Sequence, residues 1–441
     1  MDQSTTVKGL FEFIEKSPSP YHVVDNMVKT YEAAGYERLL ENQPWKLSHG
    51  GKYFVTKGGT SLIAFAVPEG DFDGFQIVAA HTDSPSFKIK ENPEQAVAGN
   101  YVKLNVEKYG GMLMAPWFDR PLSVAGRVAV KANGRVEMRL VNVDRDLLVI
   151  PNLAIHMNRQ VNDGYKYSCH KDMMPLYGAG DSKDTFMQTI AETVGADAKD
   201  IIGHDLYLYN RMKGTQWGAN NEYISIGKLD DLENVYSAMQ ALLSANNGKK
   251  IILQAAFDNE EVGSGTKQGA CSTFLEDTLL RINEAFGGSD GMLRQLIAGS
   301  FMLSADNAHA THPNHTEKAC PSNSPLMGEG VVIKYSGNQK YTSEGLSAAV
   351  FKEICERKGV PVQLFTNHSD IVGGSTLGNL SNAHVSLDSV DIGLAQLAMH
   401  SPYETAGAAD VGYMIDAMQA FFEAVIEENI DESGETVIEI L

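Results

Sequence analysis

Three stretches of the chain run an apolar segment into residues that can bind a cation or carry a proton. Phe75-Gln76-Ile77-Val78-Ala79-Ala80 leads into His81-Thr82-Asp83. Ile251 to Phe257 leads into Asp258-Asn259-Glu260-Glu261. Phe301 to Ser304 leads into Asp306 and then His309. Each run has the length and continuous apolarity of a buried strand. Ligands of open α/β sheets gather beyond the carboxyl ends of strands, so three such ends carrying His, Asp and Glu point to one convergent site. Asp230, opening a helical pattern, and His400 in Ala398-Met399-His400-Ser401 are further candidates. Imidazole and carboxylate are metal-capable side chains. Plainer readings exist for each group. His-x-Asp is ordinarily a surface loop, Glu260-Glu261 a solvated helix start, Asp230 an N-cap and His400 a satisfied core histidine. Against them stands the recurrence of one pattern where three strands give way to loops.

These groups need elements to position them. Helical spacing occurs at 5–16 and 22–34, separated by Ser17-Pro18-Ser19-Pro20, and again at 229–246, 343–358 and 408–427. Strands alternating with helices predict an α/β fold, a mixed sheet flanked by helices. Residues 93–220 differ. Short β-like runs at 101–106, 123–130 and 135–141, divided by Gly and Asn turns, predict a mostly β insertion. The expected division is a discontinuous catalytic domain, 1–92 and 221–441, around an inserted domain, 93–220.

A chain of 441 residues is long enough for two cores. Its formal net charge of -20 sets it against nucleic acid and anionic membrane surfaces. Cys169, Cys271, Cys320 and Cys355 form no CxxC pair, so neither a disulfide framework nor a thiolate zinc site is expected. The N-terminal stretch carries charges throughout, and no apolar run reaches the ~20 residues of a membrane span. A cytoplasmic location is expected.

Taken together, the residues resemble the aspartyl aminopeptidase family of dinuclear zinc metallopeptidases, over nearly the whole chain. The resemblance is carried by Ser17-Pro18-Ser19-Pro20-Tyr21-His22, Ala80-His81-Thr82-Asp83-Ser84-Pro85, Trp117-Phe118-Asp119-Arg120 and Leu153-Ala154-Ile155-His156. It continues through Lys228-Leu229-Asp230-Asp231, Asp258-Asn259-Glu260-Glu261-Val262-Gly263-Ser264 and Ser304-Ala305-Asp306-Asn307-Ala308-His309-Ala310. Gly374-Ser375-Thr376 and Gln396-Leu397-Ala398-Met399-His400-Ser401 complete it.

The resemblance implies two Zn2+ per subunit, with Co2+ or Mn2+ as substitutes. His81 and Asp306 would hold one ion, Glu261 and His400 the other, and Asp230 would bridge them. Asp83 would fix the tautomer of His81, and Glu260 would be the general base. Three carboxylates and two dications sum to about plus one, a local positive centre. The implied reaction removes an N-terminal residue, preferentially Asp or Glu, from peptides with a free N-terminus. Lys334, Tyr341 and His309 would face the substrate. The insertion would drive assembly into a homo-dodecamer, and His156 would reach a neighbour's active site. Two positions depart from the family pattern: Asp231, usually Asn, and Asn379, often Pro. Relatives that favour neutral residues, and two-metal deacylases of N-acyl amino acids, share this ligand chemistry. A non-catalytic scaffold would not need Glu260 or a full ligand set.

Overall fold

The three apolar runs become neighbouring strands in the middle of a nine-stranded sheet. Its order is Glu37–Leu39, Lys52–Lys57, Ser61–Ala66, Ile251–Phe257, Phe75–His81, Phe301–Ala305, Asp388–Gly393, Val331–Tyr335 and Val362–Thr366. The computed structural model describes residues 3–97, 100–246, 248–374, 376–430, 433–434 and 436–441. Ser375 of the Gly374-Ser375-Thr376 motif lies outside them. The strands Ile251–Phe257, Phe75–His81, Phe301–Ala305 and Asp388–Gly393 are mutually parallel. Their carboxyl ends therefore open on one side, where His81, Asp258 and Asp306 emerge.

These strands are buried on both faces, which is why they read as unbroken apolar runs rather than as alternation. Along Phe75–His81, Val78 and Ala80 pack toward the helices Gln3–Glu15, Pro20–Ala33, Leu229–Ser244, Gly345–Lys358 and Asp410–Glu423. Ile77 and Ala79 pack toward Phe274–Ala285, Asp290–Ala298 and Leu377–Ser381 on the opposite face. The period of two along a strand thus divides one apolar run between two cores.

Helix ends differ from expectation for local reasons. The second helix begins at Pro20, not residue 22, because Ser19 stands at its N-cap and proline suits the first turn, where its missing N–H is not needed. The helix expected from 343 starts at Gly345, after Glu344 and Ser347 form a reciprocal capping box. The last helix stops at Glu423. Residues 426–430 then pair with 436–440 as a hairpin that periodicity did not suggest.

A separate six-stranded sheet has the order Arg135–Asn142, Leu122–Ala132, Ile201–Asn210, Ser86–Val97, Tyr101–Tyr109 and Leu176–Ala179. Phe87, Leu104, Val124, Val128 and Leu206 form its own core with Phe186 and Ile190 of the helix Phe186–Val194. The strand Ser86–Val97 enters this sheet seven residues before position 93. A five-stranded sheet, Thr215–Trp217, Tyr223–Ile226, Glu404–Gly407, Ala395–Leu397 and Ala308–His309, carries His309 and segments next to Asp230 and His400. No helix is long and apolar enough to cross a membrane among the described residues, and all four cysteines are free.

Candidate metal centre

His81 is the last residue of its strand, and its ring is fixed by the turn just beyond it. Nδ1 lies 3.1 Å from the backbone carbonyl of Asp83 and 3.4 Å from Asp83 Oδ1. A proton on Nδ1 satisfies these acceptors and leaves the lone pair of Nε2 for a cation. Asp83 thus orients His81 with its main chain as well as its carboxylate. That carboxylate also accepts hydrogen bonds from Tyr109 Oη at 2.6 Å and from the backbone N–H groups of Glu260 (3.1 Å) and Glu261 (3.2 Å). One buried aspartate therefore ties together two of the three strand ends.

Asp230 stands at the head of the helix Leu229–Ser244 with non-helical backbone, and its carboxylate faces two imidazoles instead of capping the helix. Its peptide bond to Asp231 is cis. The carbonyl of Asp230 accepts from Ser84 Oγ at 2.8 Å, and its N–H donates to Glu404 Oε2 at 3.1 Å. These contacts aim the carboxylate. Oδ1 lies 3.5 Å from His81 Nε2, and Oδ2 lies 3.4 Å from His400 Nε2. The Nδ1 of His400 pairs with the carbonyl of Gly111, so this ring too turns Nε2 inward. Glu261 Oε1 is 3.4 Å from the same Nε2. Gly110, with φ +77°, lets the turn of the six-stranded sheet pass close by; a Cβ there would come within 3.2 Å of Glu261 Cβ.

The ligand-capable atoms fall into overlapping groups, each within 4.8 Å: His81 with Asp230, Asp231 and Asp306; His81 with Glu260 and Glu261; Asp230 with Glu261 and His400. Asp230 Oδ1 and Glu261 Oε1 are buried and have no hydrogen-bond partner among the described residues. Buried anionic oxygens without partners are costly unless a cation meets them. Mutual repulsion is evident. Burial, then Asp230 and other neighbours, pushes Glu261 well above the usual carboxylate range. Burial, with Asp306, Asp83 and Asp230 adding and His81 opposing, raises Glu260 to about 7. Asp306 is raised by burial, although Lys334 counters it. The residues present fit a zinc centre in donor type, burial and crowding.

The other expected residues take up varied positions. Lys334 is no surface lysine: it is 2% exposed, donates to the carbonyls of Asp306 (2.8 Å) and Asn307 (3.3 Å), and sits 3.4 Å from Asp306 Oδ2. Burial works against its charge, yet Asp306, then Tyr341, holds it above the ordinary lysine range. Its ammonium lies 5.0 Å from the centroid of the Tyr341 ring. His309 stacks edge-on to Phe365, and burial, then Lys334, lowers its pKa. His156 lies apart from all of these, in an exposed loop of the inserted region. Asp231, the departure from the family pattern, accepts the His81 N–H at 2.9 Å and the amide of Asn234. Asn379 sits in the short helix Leu377–Ser381.

Sequence reasoning missed three supports. Glu404 is 1% exposed, and its two oxygens accept the backbone N–H groups of Asp230 and His400 (2.7 Å). Asn307 donates to Glu233 Oε1 (2.7 Å), Gln396 Oε1 (3.1 Å) and the Leu229 carbonyl (3.2 Å), linking the segments that carry Asp306, Asp230 and His400. Tyr109 belongs to the inserted sheet. Only nearness to a motif in sequence hinted at the first two; nothing local hinted at Tyr109.

If metal offsets this cluster, stripping it with a chelator should lower the thermal midpoint by roughly 5–10 °C, and zinc should restore it. An unchanged midpoint after verified metal loss would count against the assignment.

Comparison with known proteins shows the family. The family described as aminopeptidase I zinc metalloprotease (M18) matches residues 13–422. A probable M18 family aminopeptidase 2 of Clostridium acetobutylicum is 46% identical, over 94% of this chain and 98% of its own length. A protein of the same description from Pseudomonas aeruginosa is 38% identical, over 94% and 97%. Among solved structures, a chain of the Ape4 and Nbr1 complex superposes with a TM-score of 0.92 at 34% identity, covering 95% of this chain and 86% of that one. The S. cerevisiae mApe1 dodecamer superposes with a TM-score of 0.83 at 26% identity, covering 94% and 96%. A family match over nearly the whole length, joined to a buried imidazole–carboxylate cluster at the strand ends, places this chain in the M18 family of zinc aminopeptidases.

Proposed function

We propose that this M18 aminopeptidase binds two zinc ions and removes N-terminal residues, preferentially Asp or Glu, from peptides with a free N-terminus. The observation that carries the two-ion reading is Asp230, whose oxygens face two different imidazoles, each with its Nδ1 already engaged. His81 and Asp306 would hold one ion, Glu261 and His400 the other, and Asp230 would be shared. Zinc so held supplies Lewis acidity and acidifies water at neutral pH. Glu260, adjoining Glu261 and fixed through its N–H to Asp83, takes the proton of the attacking water and delivers it to the leaving amine. Asp83 and Gly111 keep the two imidazoles in the tautomer that ligates. The four free thiols support a reducing, cytoplasmic location.

Acid preference is supported by Lys334, a buried ammonium beside Tyr341 in a chain of net charge -20. Assembly through the inserted sheet, into a dodecamer as in S. cerevisiae mApe1, is supported by the overall likeness. Leu153, Ile155 and Met157, apolar and exposed around His156, also support it. His156 would then complete a neighbour's substrate site.

Three outcomes test these readings. Asp230→Asn should lose metal from both positions, whereas Glu260→Gln should keep its metal and lose ~10²–10⁴-fold in kcat; two full equivalents in Asp230→Asn would refute the shared ligand. Lys334→Leu should raise KM for Asp- and Glu-amides more than for Leu-amide, since a charge-assisted hydrogen bond contributes ~1.5–3 kcal/mol. Equal losses would remove Lys334 as selector, and cleavage only of N-acylated substrates would replace the aminopeptidase by a deacylase. Mixing inactive Glu260→Gln and His156→Ala subunits under exchange should restore activity. Full activity of His156→Ala alone, or no recovery after demonstrated exchange, would sink the shared site.

A further inference from the structure

Next to the metal centre lies a cleft of about 790 Å³ whose lining holds His309, His312, His315, Lys318 and His368 but no Asp or Glu. In a chain of net charge -20, with only 12 histidines, four of them line this one cleft. Its wall is continuous with the centre. It includes Ala398 and Met399, which run directly into His400, and His309, three residues after Asp306.

The cleft's donors do not depend on protonation. The backbone N–H of Asn314 donates to His312 Nδ1 at 3.1 Å, and that of Asp370 donates to His368 Nδ1 at 3.2 Å. Each ring, even when neutral, therefore carries its hydrogen on Nε2 and offers a donor. His312 and His315 lie with ring centroids 5.0 Å apart. Lys318 also lines the cleft, and its backbone N–H donates to the His315 carbonyl at 3.1 Å. The nearest carboxylates are turned to solvent. Glu317 lies 3.5 Å from His315 Nδ1, and Asp370, whose side chain is 91% exposed, lies 3.9 Å from His368 Nδ1. Neither lines the cleft. Phe365 closes its floor against His309 and Tyr341.

We propose that this cleft is a subsite for a carboxylate on the leaving side of the scissile bond, so that the enzyme reads a second anionic group beyond the residue it removes. The proposal rests on the aminopeptidase reading. Two sources supply that chemistry: an acidic side chain on the substrate's second residue, or the terminal carboxylate of a dipeptide. Lys334 and Tyr341 do not line this cleft and would serve the first residue. The cleft serves the part of the peptide beyond it.

Two matched pairs distinguish the sources, each with the first residue held as Leu. One pair is a C-terminally amidated tripeptide with Glu or Gln second; the other is Leu-Ala as free acid or as amide. In at least one pair the anionic member should have a kcat/KM ~10-fold higher, carried by KM, and the ratio should shrink as ionic strength rises. The double variant His312→Gln, Lys318→Gln should bring that ratio close to one. Ratios near one for both pairs in the wild-type enzyme would overturn the subsite. So would a ratio that the double variant leaves unmoved. If the variant fails to fold, the wild-type ratios and their salt dependence decide alone. Hydrolysis of the neutral peptides reports separately on the aminopeptidase reading, because it requires no second anion.

Discussion

Everything in this structure is arranged around several carboxylates held close together and out of water. Asp230, Asp231, Glu261 and Asp306 crowd around His81 and His400, and at least two of their oxygens have no hydrogen-bond partner among the described residues. Like charges at such range in a low-dielectric setting repel strongly. A cation is what makes the arrangement tolerable, and the family to which the chain belongs supplies zinc. The fold therefore stores destabilisation at the strand ends and offsets it through the apolar cores on both faces of the central sheet.

Holding such groups in place takes a second set of residues drawn from distant parts of the chain. Asp83 joins the segment after Phe75–His81 to the Glu260–Glu261 turn. Glu404 joins Asp230 to His400. Asn307 joins the Asp306 segment to both of those. The six-stranded sheet contributes as well, through the hydroxyl of Tyr109 on Asp83 and the carbonyl of Gly111 on His400. The inserted region is thus part of the centre's framework, whatever else it does. A change in its packing would be felt at the two imidazoles.

Electrostatics divides the neighbourhood. The metal cluster is rich in acids, whereas the ground beside it, from Lys334 to the histidine-lined cleft, presents donors and cations. Long-range repulsion of an acidic peptide by a chain of charge -20 is screened beyond about 8–10 Å in physiological salt. Local groups inside the cleft are screened far less.

The apolar runs ending at His81, Phe257 and Ser304 were legible because strands buried on both faces must be continuously apolar, and a strand's end is where polar ligands first become affordable. The family motifs then named Asp230, Glu261, Asp306 and His400 together, and the structure does bring them together. Other features were not legible. The resemblance names Lys334, but only the packing shows it buried against Asp306. Helix periodicity ran through Asp230 and Asp231, where tertiary contacts from Ser84 and Glu404 hold the backbone out of the helix. Tyr109 and Gly111 carry no signal because their partners lie roughly 26 and 289 residues away. Sequence alone determined which residue types end the central strands, since burial and ligand chemistry are local demands. The tertiary structure decided which nitrogen of each imidazole faces inward and which carboxylates share a site, because hydrogen bonds between distant segments set both.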